Sequence, residues 1–277
     1  MLAPAATALS KIRHVFLDMD GTLYKGNHVF PQTVPFLTGL QRLGIGYTFL
    51  TNNPSRSRAA YLAHLAELGI PCDGEQLFTS AHATVRHLRA CLPSAKRLFF
   101  LGTPDMVEEF ARAGYTACDG ADDEPDAVVV SFDTTLTYEK LCRAAWWIAR
   151  GKPYIATHPD QTCPTDQPTL LPDCGSLCAL LRSATGRDPD ATLGKPDPAT
   201  LHAVLERHRL QPWQAAMVGD RLNTDIAMAC RAGVFGVLVL TGEAVATDVE
   251  GASEPPDLVV AHVGELGQHL NAAHAAR

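Results

Sequence analysis

The sequence predicts an α/β fold built on a doubly wound parallel sheet, and two observations support this prediction. Short apolar runs suited to buried strands recur along the chain. Between them lie longer segments of helical period, several of which end at a glycine such as Gly44, Gly151 or Gly233. Strands that alternate with helices form parallel sheets, and the helices cover both faces of the sheet.

The individual elements follow from these two patterns. The apolar runs predicted as strands are residues 14–17, 47–50, 97–101, 127–132, 154–157, 191–193, 215–218, 234–240 and 257–260. The candidate helices include residues 33–43, 56–68, 138–150, 198–207 and 223–232. The stretch 160–173, rich in Pro and Asp, is predicted to be a loop.

Composition narrows the function classes. A formal net charge of -7 provides no basic stripe, so no nucleic-acid polymer is expected as a partner. No run approaches the ~18 apolar residues that a membrane span needs, so no membrane partner is expected either. The eight cysteines contain no C-x-x-C pair, and they predict a reducing, cytoplasmic location.

Two carboxylates, Asp18 and Asp20, follow the first predicted strand and are separated by one residue. In extended chain, residues i and i+2 point to the same side, so these two side chains would bring like charges together. A bound cation offsets that repulsion, and carboxylate oxygens suit Mg²⁺. Gly21 then permits a sharp turn. By itself the pattern also fits a surface turn, so its interpretation depends on the other strand ends.

Polar residues also follow later apolar runs. They are Thr51 with Asn52 and Asn53, then Lys195, and finally Asp220 with Asp225. The hydroxyl and the backbone N–H groups of the first set suit phosphate oxygens, and the lysine supplies an ammonium donor. Residues far apart in sequence meet at the carboxyl ends of strands in a doubly wound sheet. The sequence therefore predicts a site for a metal ion and a phosphate at this edge.

Taken in order, these segments resemble the four motifs of the haloacid dehalogenase superfamily of phosphotransferases. The matching residues are Asp18-x-Asp20-Gly21-Thr22, Thr51, Lys195, and Gly219-Asp220 with Asp225. Other segments resemble the NagD-like and 4-nitrophenylphosphatase group, the branch with a large α/β cap. Those segments are Thr51-Asn-Asn, Tyr138-Glu-Lys-Leu, Ala156-Thr-His-Pro-Asp160, Cys174-Gly-Ser and Gly194-Lys-Pro.

The resemblance implies a Rossmann-like catalytic core formed by residues 1–82 and 187–277, with residues 83–186 inserted as an α/β cap domain that selects the substrate. It also implies a Mg²⁺-dependent phosphatase. The expected partner is a small-molecule phosphate ester, such as a nucleoside monophosphate, phosphoglycolate, a sugar phosphate or pyridoxal phosphate. Trp146 and Trp147 lie on one helical segment of the cap, and at least one of them should be core. An aromatic surface on this segment would allow a homodimer through the cap, which is left open.

The same resemblance implies a role for each motif residue. Asp18 is the nucleophile that accepts the phosphoryl group, and Asp20 acts as general acid and base. Thr51 and Lys195 bind the phosphoryl oxygens. Mg²⁺ is held by the carboxylates of Asp18 and Asp220 and by the backbone carbonyl of Asp20.

The remaining predicted residues surround the phosphate and the substrate. Asp225 orients Lys195 or a metal-bound water. The residues expected to contact substrate are Gly21, Asn52, Asn53, His158, Gly175 and Ser176. His158 stands where relatives often carry Asn, and it also fits an ordinary loop histidine. Arg56 and Arg58 either reach a second anionic group of the substrate or line an exposed helix face.

Two other functions stay open at this point. A phosphomutase would share the nucleophile and the acid/base, and it differs only in the acceptor of the phosphoryl group. A non-enzymatic signalling module, of the receiver-domain kind, also combines a phosphoaccepting Asp with a Thr and a Lys on a doubly wound sheet. Receiver domains are about half as long as this chain and lack the cap, which favours the enzyme.

Overall fold

In the computed structural model, the described residues are 3–119, 123–165 and 168–275. The chain divides into two compact units. The first unit comprises Met1–Thr51, Leu62–Phe78 and Lys195–Arg277, and the second comprises Asn52–Tyr61 and Thr79–Gly194. No helix within the described ranges combines the length and the apolar character needed to cross a membrane.

The secondary structure alternates between strands and helices, as expected. The strands are β1 His14–Asp18, β2 Tyr24–Lys25, β3 His28–Val29, β4 Gly46–Thr51, β5 Leu77–Thr79, β6 Arg97–Leu101, β7 Thr116–Ala117, β8 Ala127–Val130, β9 Tyr154–Ala156, β10 Thr162–Cys163, β11 Leu171–Pro172, β12 Ala191–Thr192, β13 Ala215–Gly219, β14 Phe235–Val239 and β15 Leu258–Val260. The α-helices are α1 Ala3–Leu9, α2 Thr33–Arg42, α3 Arg58–Glu67, α4 Ser80–Cys91, α5 Pro104–Arg112, α6 Tyr138–Ala149, α7 Cys174–Thr185, α8 Ala199–His208, α9 Ala227–Ala232 and α10 Val263–Ala275.

The first unit is built on a six-stranded sheet with the strand order β15-β14-β13-β1-β4-β5. Strand β1 is parallel to β13 on one side and to β4 on the other. Every residue of β1 and of β13 is buried, as expected for central strands whose two faces are both covered. Phe16 and its register partner Met217 pack with Leu201 of α8 and Met228 of α9. Helices α1 and α2 each pack against α10.

The second unit has its own five-stranded sheet with the order β12-β9-β8-β6-β7, in which all neighbouring strands are parallel. Its central strand β8 reads Ala-Val-Val-Val and is buried throughout. Val128 and Val130 pack with residues of α6 and α7, whereas Val129 packs with residues of α4 and α5. Because side chains alternate across a strand, helices cover both faces of this sheet as well.

The predicted strands are all present, and the α/β prediction is confirmed. Helix α3 begins at Arg58 rather than at residue 56, and the segment 223–232 opens with the π-helix Leu222–Ile226 before α9. The predicted loop 160–173 contains the short antiparallel hairpin of β10 and β11. Helices α1, α4, α5, α7 and α10 were not among the candidates. Trp147 is buried, as one of the two tryptophans was expected to be, and Trp146 is 57% exposed.

Candidate active site

The site forms at the carboxyl ends of three adjacent parallel strands of the first unit. Strand β1 ends at Asp18, which pairs in register with Leu50 of β4, and Thr51 is the next residue. On the other side of β1, Leu17 pairs with Val218 of β13, and Asp220 follows the end of that strand. Strand register alone therefore brings the ends of three separate chain segments to one edge.

Three carboxylates meet at this edge. Asp18, Asp220 and Asp225 each offer one oxygen, and these oxygens all lie within 4.8 Å of one another. All three residues are buried. The π-helical turn that precedes α9 carries Asp225 back toward the strand ends, and the backbone N–H of Arg221 donates to its Oδ2 at 3.1 Å. Two residues predicted from separate motifs, Asp18 and Asp220, are thus brought together.

Lys195, 177 residues after Asp18, belongs to the same cluster. Its Nζ donates to Asp18 Oδ1 and, at 2.7 Å, to Asp225 Oδ1. Lys195 is buried, and Thr22 Oγ1 donates to the second oxygen of Asp18 at 3.1 Å. Both oxygens of Asp18 are therefore oriented by donors. Asp225 forms an ion pair with Lys195, and its role in orienting that lysine or a metal-bound water stays a prediction.

Glycines leave room for the carboxylates. A Cβ added at Gly21, where φ is +84°, would lie 2.5 Å from Asp220 Oδ2. A Cβ at Gly242 would lie 1.9 Å from the same oxygen, and one at Gly219 would lie 2.2 Å from Asp225 Cγ. Any larger residue at these positions would displace a carboxylate. The backbone N–H of Glu243 then donates to Asp220 Oδ2 at 2.7 Å.

The electrostatics show that the cluster is short of positive charge. Burial, together with the charges of Asp18 and Asp225, raises the pKa of Asp220 to about 8. Burial also raises the pKa of Asp225 to about 6 against the opposing effect of Lys195. Burial alone would lower the pKa of Lys195, but the charges of Asp18 and Asp225 move it upward. Because three carboxylates share one ammonium, this donor set fits a divalent cation that binds oxygen, such as Mg²⁺.

Asp20 and Thr51 are the other two predicted catalytic residues. Asp20 lies two residues after Asp18, and Thr51 ends the neighbouring strand β4. The side chain of Asp20 is exposed, and it does not belong to the carboxylate group that Asp225 completes. Its Oδ1 lies 3.5 Å from the backbone nitrogen of Gly26. Thr51 is half-buried at the last position of β4. An exposed carboxyl suits proton exchange with a substrate better than a buried ligand would, and its catalytic role stays a prediction.

The predicted substrate residues of the second unit make contacts within that unit. Asn52 Nδ2 donates to both carboxylate oxygens of Asp160 at 3.2 Å, and Asn53 Oδ1 accepts from the backbone nitrogen of Ser55 at 2.9 Å. Ser176 Oγ donates to the carbonyl of Gln161 at 2.6 Å. A Cβ at Gly175 would lie 2.3 Å from the carbonyl oxygen of Pro159. Their roles toward substrate stay predictions.

His158 is fully buried, which separates it from an ordinary loop histidine. Its Nδ1 lies 3.5 Å from Asp160, and its Nε2 lies 3.4 Å from Asp173. Arg56 is exposed just before α3, and Arg58 is half-buried at its first position. The structure thus places His158 between two carboxylates, and contact of these three residues with substrate stays a prediction.

Several residues of these clusters were missed at the level of sequence. Thr22 lies inside the first motif, and its hydroxyl could have been singled out from its position four residues after Asp18. Gly242 and Glu243 follow the apolar run of β14, so the strand-end rule that selected the other residues also points to them. Asp160 ends a segment quoted for the resemblance, but its contact with Asn52, 108 residues away, had no local signal.

Two family models match the chain. Residues 15–116 match the model described as "Haloacid dehalogenase-like hydrolase", and residues 192–266 match the model described as "HAD-hyrolase-like". The first match includes Asp18, Asp20 and Thr51, and the second includes Lys195, Asp220 and Asp225.

Named relatives agree with these models. The chain is 31% identical over 255 residues to the ribonucleotide monophosphatase NagD of Escherichia coli K12, which covers 92% of this chain and 98% of the relative. It is similar to the structure of a 4-nitrophenylphosphatase from Thermotoga maritima, with 38% identity, a TM-score of 0.87 and coverage of 94% and 98%. A glycerol phosphate phosphatase from Mycobacterium tuberculosis, in complex with magnesium, gives 34% identity, a TM-score of 0.86 and coverage of 95% and 79%.

Proposed function

Because the chain belongs to the NagD-like branch of the haloacid dehalogenase-like hydrolases and is a phosphatase acting on small phosphate monoesters, we propose that it works with Mg²⁺ and through a phosphoryl group carried by Asp18. The observation that carries this proposal is the convergence of Asp18, Asp220 and Asp225 on Lys195. Such a cluster lacks positive charge until a cation and its substrate are bound.

Asp18 is assigned as the nucleophile because its carboxylate is held in place by Thr22 and Lys195. One of its oxygens attacks phosphorus, and the bond between phosphorus and the ester oxygen breaks. Asp20 gives a proton to the departing alkoxide. Water then attacks the aspartyl-phosphate and passes a proton to Asp20, which releases inorganic phosphate and restores Asp18. Splitting a slow hydrolysis in this way replaces one difficult step by two easier ones.

Lys195 and Thr51 are assigned to the phosphoryl oxygens, whose negative charge must be stabilised through both steps. Mg²⁺ would be held by the carboxylates of Asp18 and Asp220 and by the backbone carbonyl of Asp20. When bound, it supplies positive charge that offsets the repulsion between a carboxylate nucleophile and a phosphate dianion. Asp225 keeps the Lys195 ammonium directed toward Asp18.

Substrate selection is assigned to the inserted segment 83–186, with His158, Gly175 and Ser176 as its candidate contacts. The relatives named above act on ribonucleotides, glycerol phosphate and 4-nitrophenyl phosphate, which share only the phosphate monoester. This range of leaving groups supports a site that recognises the phosphoryl group closely and the rest of the substrate loosely. A cytoplasmic location and a homodimer through the inserted segment stay predictions.

The experiment is a screen of phosphate monoesters with the full chain in Mg²⁺ and, in parallel, in EDTA. The panel contains a nucleoside monophosphate, glycerol 3-phosphate, phosphoglycolate, a sugar phosphate, pyridoxal phosphate and 4-nitrophenyl phosphate. We expect release of inorganic phosphate that depends on Mg²⁺ and stops in EDTA. Release that is unchanged in EDTA would reject the metal assignment. Isomerised product without free phosphate would instead identify a phosphomutase.

A further inference from the structure

Two of the residues assigned to phosphate lie where the chain passes between the two units. The bonds Thr51–Asn52 and Gly194–Lys195 are both unit boundaries. Thr51 and Lys195 therefore belong to the first unit, while the residue covalently attached to each belongs to the second. Any contact that fixes Asn52 relative to Gly194 also restricts where the two phosphate-binding residues can move.

Asn52 and Gly194 are packed closely against each other. A Cβ added at Gly194 would lie 2.5 Å from Asn52 Oδ1 and 3.2 Å from His158 Cβ. Gly194 has φ of +71°, a conformation that other residues rarely adopt. Only glycine combines this backbone conformation with this spacing, so the two boundary residues are held at van der Waals contact.

The side chain and the carbonyl of Asn52 are both engaged in the second unit. Its Nδ2 donates to the two oxygens of Asp160 at 3.2 Å each, and its carbonyl oxygen accepts from Ser80 Oγ at 2.6 Å. Ser80 lies just after a third unit boundary, between Phe78 and Thr79. Asn52 thus joins three of the places where the chain passes between the units.

Asp160, the acceptor of these bonds, lies beside a buried histidine. Its side chain is 11% exposed, and one of its oxygens lies 3.5 Å from Nδ1 of the fully buried His158. The other ring nitrogen of His158 lies 3.4 Å from Asp173, which accepts from the backbone nitrogen of Cys174 as the cap of α7. Asp160 is therefore a largely buried carboxylate whose two oxygens both accept from the amide of Asn52, and hydrogen bonds to an ionised acceptor are strong.

We propose that Asn52 and Asp160 form a positioning pair that sets the spacing of Thr51 and Lys195, so that the amide of Asn52 serves the site through its neighbours rather than by touching substrate. This inference rests on the assignment of Thr51 and Lys195 to the phosphoryl oxygens. Breaking the pair weakens binding of the phosphate group and leaves the pH dependence of turnover unchanged, because neither residue transfers a proton.

The test exchanges the two side chains. Asn52→Asp sets two carboxylates against each other, Asp160→Asn sets two amides against each other, and the double variant restores one amide and one carboxylate. Asn271→Asp on α10, an isosteric change outside both units' polar clusters, is the matched control. For each protein we measure kcat and KM with 4-nitrophenyl phosphate in Mg²⁺, the inhibition constant of inorganic phosphate, and thermal unfolding.

We expect Asn52→Asp to raise KM and the phosphate inhibition constant by about tenfold or more. The variant replaces two hydrogen bonds to an ionised carboxylate, which are strong, by repulsion between two carboxylates. The double variant should recover both constants to within about threefold of the wild type. If the double variant keeps the raised KM and inhibition constant of Asn52→Asp, the amide is assigned to substrate and the pair is overturned. An Asn52→Asp variant with the KM and inhibition constant of the wild type would also overturn it. If the wild type itself shows no turnover, the proposed function fails, and this inference fails with it.

Discussion

Two lysines of this molecule each bind a buried aspartate, and their surroundings differ in charge. In the second unit, Lys140 Nζ donates to Asp133 Oδ2 at 2.9 Å, to Thr135 Oγ1 at 3.0 Å and to the carbonyl of Gly102 at 3.3 Å. One ammonium there faces one carboxylate. In the first unit, Lys195 faces Asp18 and Asp225 directly, and Asp220 adds a third carboxylate.

The difference separates a structural ion pair from a site that needs a ligand. The second oxygen of Asp133 accepts from the backbone nitrogen and the hydroxyl of Thr135, at 2.8 and 2.7 Å, so this carboxylate is fully satisfied within the protein. Around Lys195 the negative charges exceed the positive ones, and the pKa of Asp220 rises to about 8 as a result of burial and its neighbours. Uncompensated buried charge is costly, so it is retained where binding makes use of it.

The largest expected effect comes from Asp18→Asn. Replacing the proposed nucleophile should lower kcat by at least about a thousandfold, because the phosphoryl group would lose its acceptor. Turnover of 4-nitrophenyl phosphate in Mg²⁺ measures this loss. Asp133→Asn makes the same chemical change at the balanced lysine and should leave kcat within about threefold of the wild type. Equal losses in both variants would remove the distinction between the two clusters.

Asp220→Asn should abolish stabilisation by the metal. A cation at about a hundred times its dissociation constant stabilises the wild type by about 2.7 kcal/mol, and thermal unfolding with and without Mg²⁺ detects this shift. The variant should show no shift in Mg²⁺. In EDTA it should be at least as stable as the wild type, because an uncompensated carboxylate is gone while the amide oxygen can still accept from the backbone of Glu243.

Metal-free stability should fall as the pH rises. Burial and the neighbouring carboxylates raise the pKa of Asp220 in the folded chain to about 8, well above the usual range of an aspartate, and burial raises the pKa of Asp225 to about 6. At a pH between the ordinary pKa of a carboxyl and these raised values, the folded state holds protons that the unfolded state has released. The stability that these protons contribute is complete at low pH and is lost as the pH rises through about 8. Denaturant unfolding in EDTA at pH 5 to 8 measures the slope. Asp220→Asn should remove most of it, whereas Asp133→Asn should retain it.

The smallest effect is expected for Lys140→Met. The side chain of Lys140 is a third exposed, but that of Asp133 is fully buried and keeps only its bonds from Thr135, so the loss of the pair should cost about 2 kcal/mol of unfolding free energy. Both kcat and KM should remain those of the wild type. A marked loss of turnover in this variant, with the fold intact, would show that charge balance fails to distinguish a structural pair from the active site.

The sequence was most informative where function depends on strand ends. Asp18, Thr51 and Asp220 follow apolar runs, and the rule for parallel sheets was sufficient to bring those runs to one edge. Lys195 follows a weaker run, and its contact with Asp18 was expected only from the motif order. The helices that cover both faces of each sheet were predicted from the same alternation of apolar and helical segments.

Other features depended on information that local patterns do not contain. The backbone N–H of Glu243 binds Asp220, and any non-proline residue could supply that donor. Asn52 and Asp160 are 108 residues apart, so no spacing rule relates them. The turn at Leu222–Ile226 is π-helical, with an extra residue compared with an α-helical turn, and this changes the direction of Asp225. The spacing of apolar residues does not distinguish such a turn from an α-helical one.

The central claim is that Asp18 carries the phosphoryl group, and trapping that group tests it most directly. In Asp20→Asn, 4-nitrophenyl phosphate can still phosphorylate the enzyme, because 4-nitrophenolate leaves without much help from an acid, while hydrolysis of the aspartyl-phosphate lacks its base. Acid quenching followed by peptide mass measurement should therefore find one added phosphoryl group on the peptide that contains Asp18, and none in the variant that also carries Asp18→Asn. A phosphoryl group on another peptide would contradict the account, as would turnover by Asp20→Asn at the wild-type rate with no modified peptide.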